Sequence, residues 1–144
     1  MTQEDKQLLL KDLCARLPYN VICQVEFKEN GKYNSKVMLL SGIFTDEAYF
    51  TTKGGSIYSN EYKPYLFPLS SMTEEQKQEE YKICKYYING YESNLIDFYN
   101  KNHLDYRGLI EKGLAIDATG LNIYWLILSE FDDYKIKFRK AMEK

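Results

Sequence analysis

The sequence predicts an α+β protein: a small, strongly curved antiparallel sheet, an SH3-like barrel where it closes on itself, flanked by helices. Three observations carry that reading. Residues 3–17 repeat their apolar positions at helical spacing, residues 21–28 alternate with a period of two, and a helix-start signature returns near Thr73. The β-forming stretch, 19–69, is thus bracketed by helical segments at 3–17 and 73–101. With 144 residues and no internal repeat or low-complexity linker, residues 1–144 fit one domain.

In the first helix Leu10, Leu13, Cys14 and Leu17 make one apolar stripe, with Thr2 as N-cap and Pro18 ending the run. From Val21 onward, Val21, Cys23, Val25 and Phe27 face one way and Ile22, Gln24, Glu26 and Lys28 the other, as in a half-buried strand. Glu29-Asn30-Gly31-Lys32 supplies a hairpin signal, because Asn and Gly tolerate positive φ; Tyr33-Asn34-Ser35 points to a longer loop. Residues 37–44 are apolar on both faces and interrupted by Gly42, a place for a bulge or bend. Thr45-Asp46-Glu47 turns into a third strand, 48–52, and Lys53-Gly54-Gly55-Ser56 is another turn. Residues 61–69 read as extended and irregular, since Pro64 and Pro68 each remove a backbone donor and restrict the residue before them.

Ser71 with Glu74, or Thr73 with Gln76, has the spacing of a capping box, and the helix it opens is acidic in its first turns, which suits the positive end of the helix dipole. Its apolar stripe is Ile83, Cys84, Tyr87, Ile88 and Tyr91. Gly90 ends it, and Ser93 caps a second piece carrying Leu95, Phe98 and Tyr99. Residues 102–108 form a polar turn and 109–116 a short helix broken by Gly113. A buried strand follows at 122–128. Residues 130–142 fit a helix through Phe131, Tyr134, Phe138 and Met142, and also alternate as a strand at Tyr134, Ile136 and Phe138.

Composition excludes several classes. At 44% hydrophobic residues and net charge −2 the chain has the means to collapse, so global disorder is ruled out. The longest apolar run, IYWLIL at 123–128, is far below the roughly 20 residues of a spanning helix, and the polar opening is unlike a secretory signal. Cys14, Cys23 and Cys84 are odd in number and lie within apolar patterns, which fits small core residues in a reducing cytoplasm. They form no C-x-x-C pair, and His103 is the single histidine, so neither a metal nor another cofactor is expected. Residues 19–69 carry five basic and five acidic groups, too even a balance for holding nucleic acid through its phosphates. The basic tail of Lys135, Lys137, Arg139, Lys140 and Lys144 reads as a solvated face.

His103-Leu104-Asp105-Tyr106-Arg107 is the one cluster of mixed chemistry. A histidine near a carboxylate is the material of a general base, and an arginine grips carboxylate or phosphate through two donors. No nucleophile elbow or phosphate loop accompanies it. The ordinary explanation is that Asp105 and Arg107 tie down a loop with Tyr106 packed beneath; a contact surface is the rival. Fourteen tyrosines are the other unusual feature. Tyr49, Tyr87 and Tyr91 lie in patterned elements, whereas Tyr58, Tyr62 and Tyr65 surround the proline-rich connection and Tyr106 the polar loop.

KPYLFPLSSMTEEQ (63–76), HLDYRGLIEKGLAI (103–116) and the opening MTQEDKQLLLKDLCARLPY resemble a family of uncharacterised small proteins encoded by gut Bacteroides and by their phages and mobile elements. The resemblance reaches to about Ile116. It implies no basic contact at Phe67, where the family carries an arginine, and a C-terminal segment, 121–144, of this chain's own kind. By association it also implies a role in takeover, defence evasion or regulation. Three functions follow as expectations. The first is a non-enzymatic, cytoplasmic interaction or regulatory module that binds a host or phage protein through Tyr58, Tyr62, Tyr65, His103, Asp105, Tyr106 and Arg107. The second is a small barrel stacking single-stranded nucleic acid on Tyr49, Phe50 and Tyr65. The third is an enzyme using His103 and Asp105.

Overall fold

In the computed structural model of the chain, Asn30 and Gly31 take φ of 51° and 78°, the paired positive values of a two-residue hairpin turn. They join β1 (Ile22–Glu29) to β2 (Lys32–Phe44), with Glu29 opposite Lys32 and Tyr33 opposite Lys28. Tyr33, Asn34 and Ser35 are therefore strand residues and not a longer loop: the turn's twist already matches the strands, so pairing starts at once. Residues 1–44, 47–52, 55–86 and 91–123 are described. They hold three helices and a seven-stranded mixed sheet in the order β4-β3-β2-β1-β5-β6, with β7 beside β5, so the protein is α+β. The expected turns at Thr45-Asp46 and Lys53-Gly54 lie outside the described residues. So do Tyr87, Ile88 and Gly90, the strand beyond Ile123, and the segment 130–142.

Two compact units divide the chain: Met1–Tyr19 with Leu66–Thr119, and Asn20–Tyr65 with the chain from Gly120. In the second unit, β2 pairs with β3 (Glu47–Thr52), and its register slips between Leu40 and Gly42. The bulge foreseen at Gly42 falls there. Ser41 is the extra residue, and its hydroxyl donates to the Tyr49 carbonyl at 3.0 Å. β4 (Gly55–Ser59) pairs with β3, so Gly55 and Ser56, expected in a turn, begin a strand. β5 (Glu61–Pro68) is regular despite its prolines: Pro64 stands opposite Cys23 of β1, and Pro68 ends the strand opposite Asp105. Strand edges and ends are where a missing donor is tolerated. Val21, Val25, Met38, Leu40, Ala48 and Phe50 are buried here. As far as the described strands go, the sheet does not close into a barrel. Among the described residues no ladder joins β4 to β1, although the Ser59 hydroxyl donates to the Glu26 carbonyl at 2.6 Å.

In the first unit, α1 (Gln3–Arg16) starts at Thr2, whose side chain accepts from the Asp5 amide in a capping box closed by the Asp5 carboxylate. Its buried face is Leu9, Leu13, Asp12 and Arg16, one position round from the expected stripe. Cys14 is exposed, as is Cys84, and Cys23 is buried, so only one thiol behaves as a core residue. Thr73 and Gln76 form the capping box of α2 (Glu74–Tyr86). α3 (Tyr91–Lys101) begins before Ser93, which lies within its first turn instead of capping it. The chain returns through α2 and α3 to β6 (Leu104–Asp105), parallel to β5. That corrects the all-antiparallel expectation: a two-helix crossover is long enough to restore strand direction, which a tight turn cannot do. Residues 109–113 make a single turn instead of a helix. It ends at Gly113 (φ 73°) with the Leu114 amide donating to the Leu109 carbonyl at 2.9 Å and the Gly113 amide to Ile110 at 3.0 Å, a Schellman closure. β7 (Ile116–Asp117) follows, and the Ala118 amide donates to the Leu66 carbonyl at 2.8 Å.

Candidate functional site

The 103–107 segment is not a solvated polar turn, because His103, Leu104 and Asp105 are buried. His103 follows α3 with φ 56°, a left-handed position that glycine usually fills, and its own amide and carbonyl bond to Asn100 and Phe67. Burial, and then the nearby Arg16 charge, lower the imidazole pKa to about 4. The ring is therefore neutral at pH 7. The Asp105 carboxylate accepts from the Leu109 and Ile110 amides, each at 2.9 Å, and so caps the turn that Gly113 closes. Asp105 and His103 share no hydrogen bond; both carboxylate oxygens are committed to backbone.

Around this turn lies a buried ionic cluster. Asp12 accepts from Arg16 Nε at 2.8 Å through one oxygen and from Arg107 Nε at 3.1 Å through the other. Arg16 is fully buried, and its second arm donates to the Leu104 carbonyl at 2.6 Å. The guanidinium carbons of Arg16 and Arg107 lie over the Tyr106 ring, 5.2 and 4.8 Å from its centroid. Tyr99 stacks on Tyr106 at 5.4 Å and donates its hydroxyl to Glu80 at 2.7 Å. Burial, helped by Glu80, raises the Tyr99 pKa. His103, Asp105, Tyr106 and Arg107 are thus brought together, with most of their polar groups engaged by other parts of the same unit.

The other expected contact residues lie in the second unit and do not gather into one patch. Tyr65 is buried, its hydroxyl donating to the Gln24 side chain at 2.8 Å, and desolvation raises its pKa. Tyr62 is half-buried and packs its ring on Phe50 at 5.5 Å. Phe50 and Tyr65 have no ring face to offer a nucleic-acid base. Tyr58 is different: it is 63% exposed.

Tyr58 belongs to a surface that single segments of the sequence did not reveal. A groove of about 520 Å³ runs where the sheet fails to close, lined among others by Glu26, Lys28, Tyr33, Glu47, Tyr58 and Glu61. β1 and β4 approach one another there without a ladder between them. β4 is laddered on β3 alone among the described residues, and the ladder of β1 with β5 stops at Glu26. Among the described residues, backbone edges therefore face the groove from both sides. Tyr33 is 76% exposed and lies under the Lys28 ammonium at 5.7 Å. Among the described residues, three carboxylates against one lysine make the lining acidic. None of the three forms an ion pair with a described residue.

No cluster of three or more potential metal ligands occurs among the described residues, and no helix there is long and apolar enough to cross a membrane. Compared with known proteins, the chain matches no family model, no curated protein and no solved structure.

Proposed function

We propose that the protein is a non-enzymatic interaction or regulatory module of the cytoplasm, and that it binds another protein through the groove between β1 and β4. The carrying observation is the exposure of Tyr33 and Tyr58 in a concave surface bordered by strand edges that no other described residue ladders. Tyrosine suits such a place because its ring buries large area at low conformational cost while its hydroxyl finds a polar partner. The resemblance of the 63–76 and 103–116 motifs to small proteins of gut Bacteroides and their phages supports a host or phage protein as that partner. The His103–Asp105 chemistry supports an enzyme less well, since Asp105 is occupied as a cap and His103 is a buried, weak base.

The test is site-specific photo-crosslinking in Bacteroides cells. A benzoylphenylalanine at position 58 should give a discrete adduct, and one at the equally exposed Tyr86 should not. Equal labelling from both positions, or none from 58, removes the proposal.

A further inference from the structure

The groove's chemistry is specific enough to name its occupant. Glu26 and Glu61 are directly opposite one another across the β1–β5 ladder, and both line the groove. Like charges at opposed positions destabilise a sheet. Two rungs along, on the same face of the ladder, a lysine stands beside neutral Gln24 in the Gln24–Lys63 pair. Neither glutamate forms an ion pair with a described residue, and Glu47 adds a third carboxylate to the lining. A second, independent feature is the outer edge of β4, which among the described residues is laddered to β3 alone and leaves its other side open along Ser56, Ile57 and Tyr58. An open edge beside a groove accepts an extended chain by main-chain pairing, while side-chain pockets select alternate residues.

We infer that the groove takes an extended segment of a partner protein, added as a strand along β4, with Lys or Arg side chains at alternate positions reaching Glu26, Glu47 and Glu61. Alternation matters because residues i and i+2 share a face of a strand. Tyr33 and Tyr58 flank the cations and offer ring faces as well as area. The inference rests on the proposed protein-binding role of the same groove and adds the partner's chemistry.

The experiment uses the full chain and a fluorescein-labelled peptide, acetyl-Lys-Val-Lys-Val-Lys-Val-Lys-amide, followed by anisotropy at low salt and by amide chemical shifts. Binding is expected to move the Ser56, Ile57 and Tyr58 amides. It should weaken at least tenfold when glutamates replace the lysines, and at least tenfold when alternate peptide amides are N-methylated. Glu61→Lys is the decisive variant: it relieves the repulsion with Glu26, so its thermal midpoint should equal or exceed that of the parent while peptide affinity falls tenfold or more. Retained affinity in Glu61→Lys, indifference to N-methylation, or equal binding of the glutamate peptide overturns the inference. An adduct at position 58 with the mass of two copies of the chain also overturns it, in favour of self-pairing. If the peptide fails while position 58 still captures another protein, the basic strand is wrong and the interaction role stands; if both fail, both fall.

Discussion

The ionic cluster around Tyr106 and the groove around Tyr58 are made from the same kinds of residue, and they differ in what completes them. Each has carboxylates, cations and tyrosine rings. In the cluster, Asp12 is shared by two arginines, the Tyr106 ring is covered by both guanidinium groups, and Tyr99 has Glu80. In the groove, among the described residues, three carboxylates meet one lysine, and Tyr33 and Tyr58 stay largely exposed although one lies under Lys28 and the other against Tyr49. A set of charges paired largely from within holds a fold, even with Arg16 Nη1 left without a hydrogen-bond partner, and an incomplete one leaves interactions for something else. Residue type alone does not separate the two roles; satisfaction does.

The contrast breaks most visibly at Asp12. Asp12→Ala should cost about 3–5 kcal/mol in chemical denaturation, because it strands the fully buried Arg16 without a carboxylate. The double variant Asp12→Leu/Arg16→Met should regain much of that loss, since no buried charge is left unpaired. If the single variant costs under about 1 kcal/mol, the cluster is not what holds this region.

His103 makes the next largest effect, one that depends on pH. Its pKa falls from 6.5 unfolded to about 4 folded, so the unfolded chain binds the proton more readily. The associated stability is fully present above pH 6.5 and is lost as pH falls towards 4, by an amount on the order of 3 kcal/mol. His103→Asn keeps a side chain that tolerates the left-handed backbone and removes the titration. Its denaturation midpoint should therefore decline less steeply than the parent's between pH 7 and 4.5. Parallel declines would mean that other groups govern acid sensitivity. The smallest stability effect belongs to the groove: Tyr58→Ala should stay within about 0.5 kcal/mol of the parent while losing most adduct formation by a crosslinker placed at Tyr33. A large destabilisation would return Tyr58 to the fold and erase the distinction.

Much of the fold was legible where a local rule has a single physical outcome. Asn30-Gly31 fixed the hairpin, Gly42 marked the bulge, and Thr73 with Gln76 marked the start of α2. The misreadings share a cause: tertiary partners reversed the local reading. Asp12 and Arg16 look like a solvated face of α1, so the apolar stripe was set one position away. Gly55-Ser56 looks like a turn, and Pro64 looks like a break, until neighbouring strands are supplied. In 103–107 Asp105 and Arg107 do tie down the turn as expected, and only its burial was concealed by the polar letters. The groove had least chance of being read, since Glu26, Tyr33, Glu47 and Tyr58 come from four successive strands, β1 to β4, and meet only after the sheet curls.

The edge of β4 that is open among the described residues carries a hazard as well as an opportunity, because an unpaired strand is a template on which identical chains add to one another. Glu26, Glu47 and Glu61 stand guard over it. A second copy would bring the same carboxylates to the same seam, so the charge that invites a basic strand also discourages stacking of the protein upon itself. In this light the opposed glutamates are gatekeepers: a small loss in the stability of one molecule protects the solubility of many.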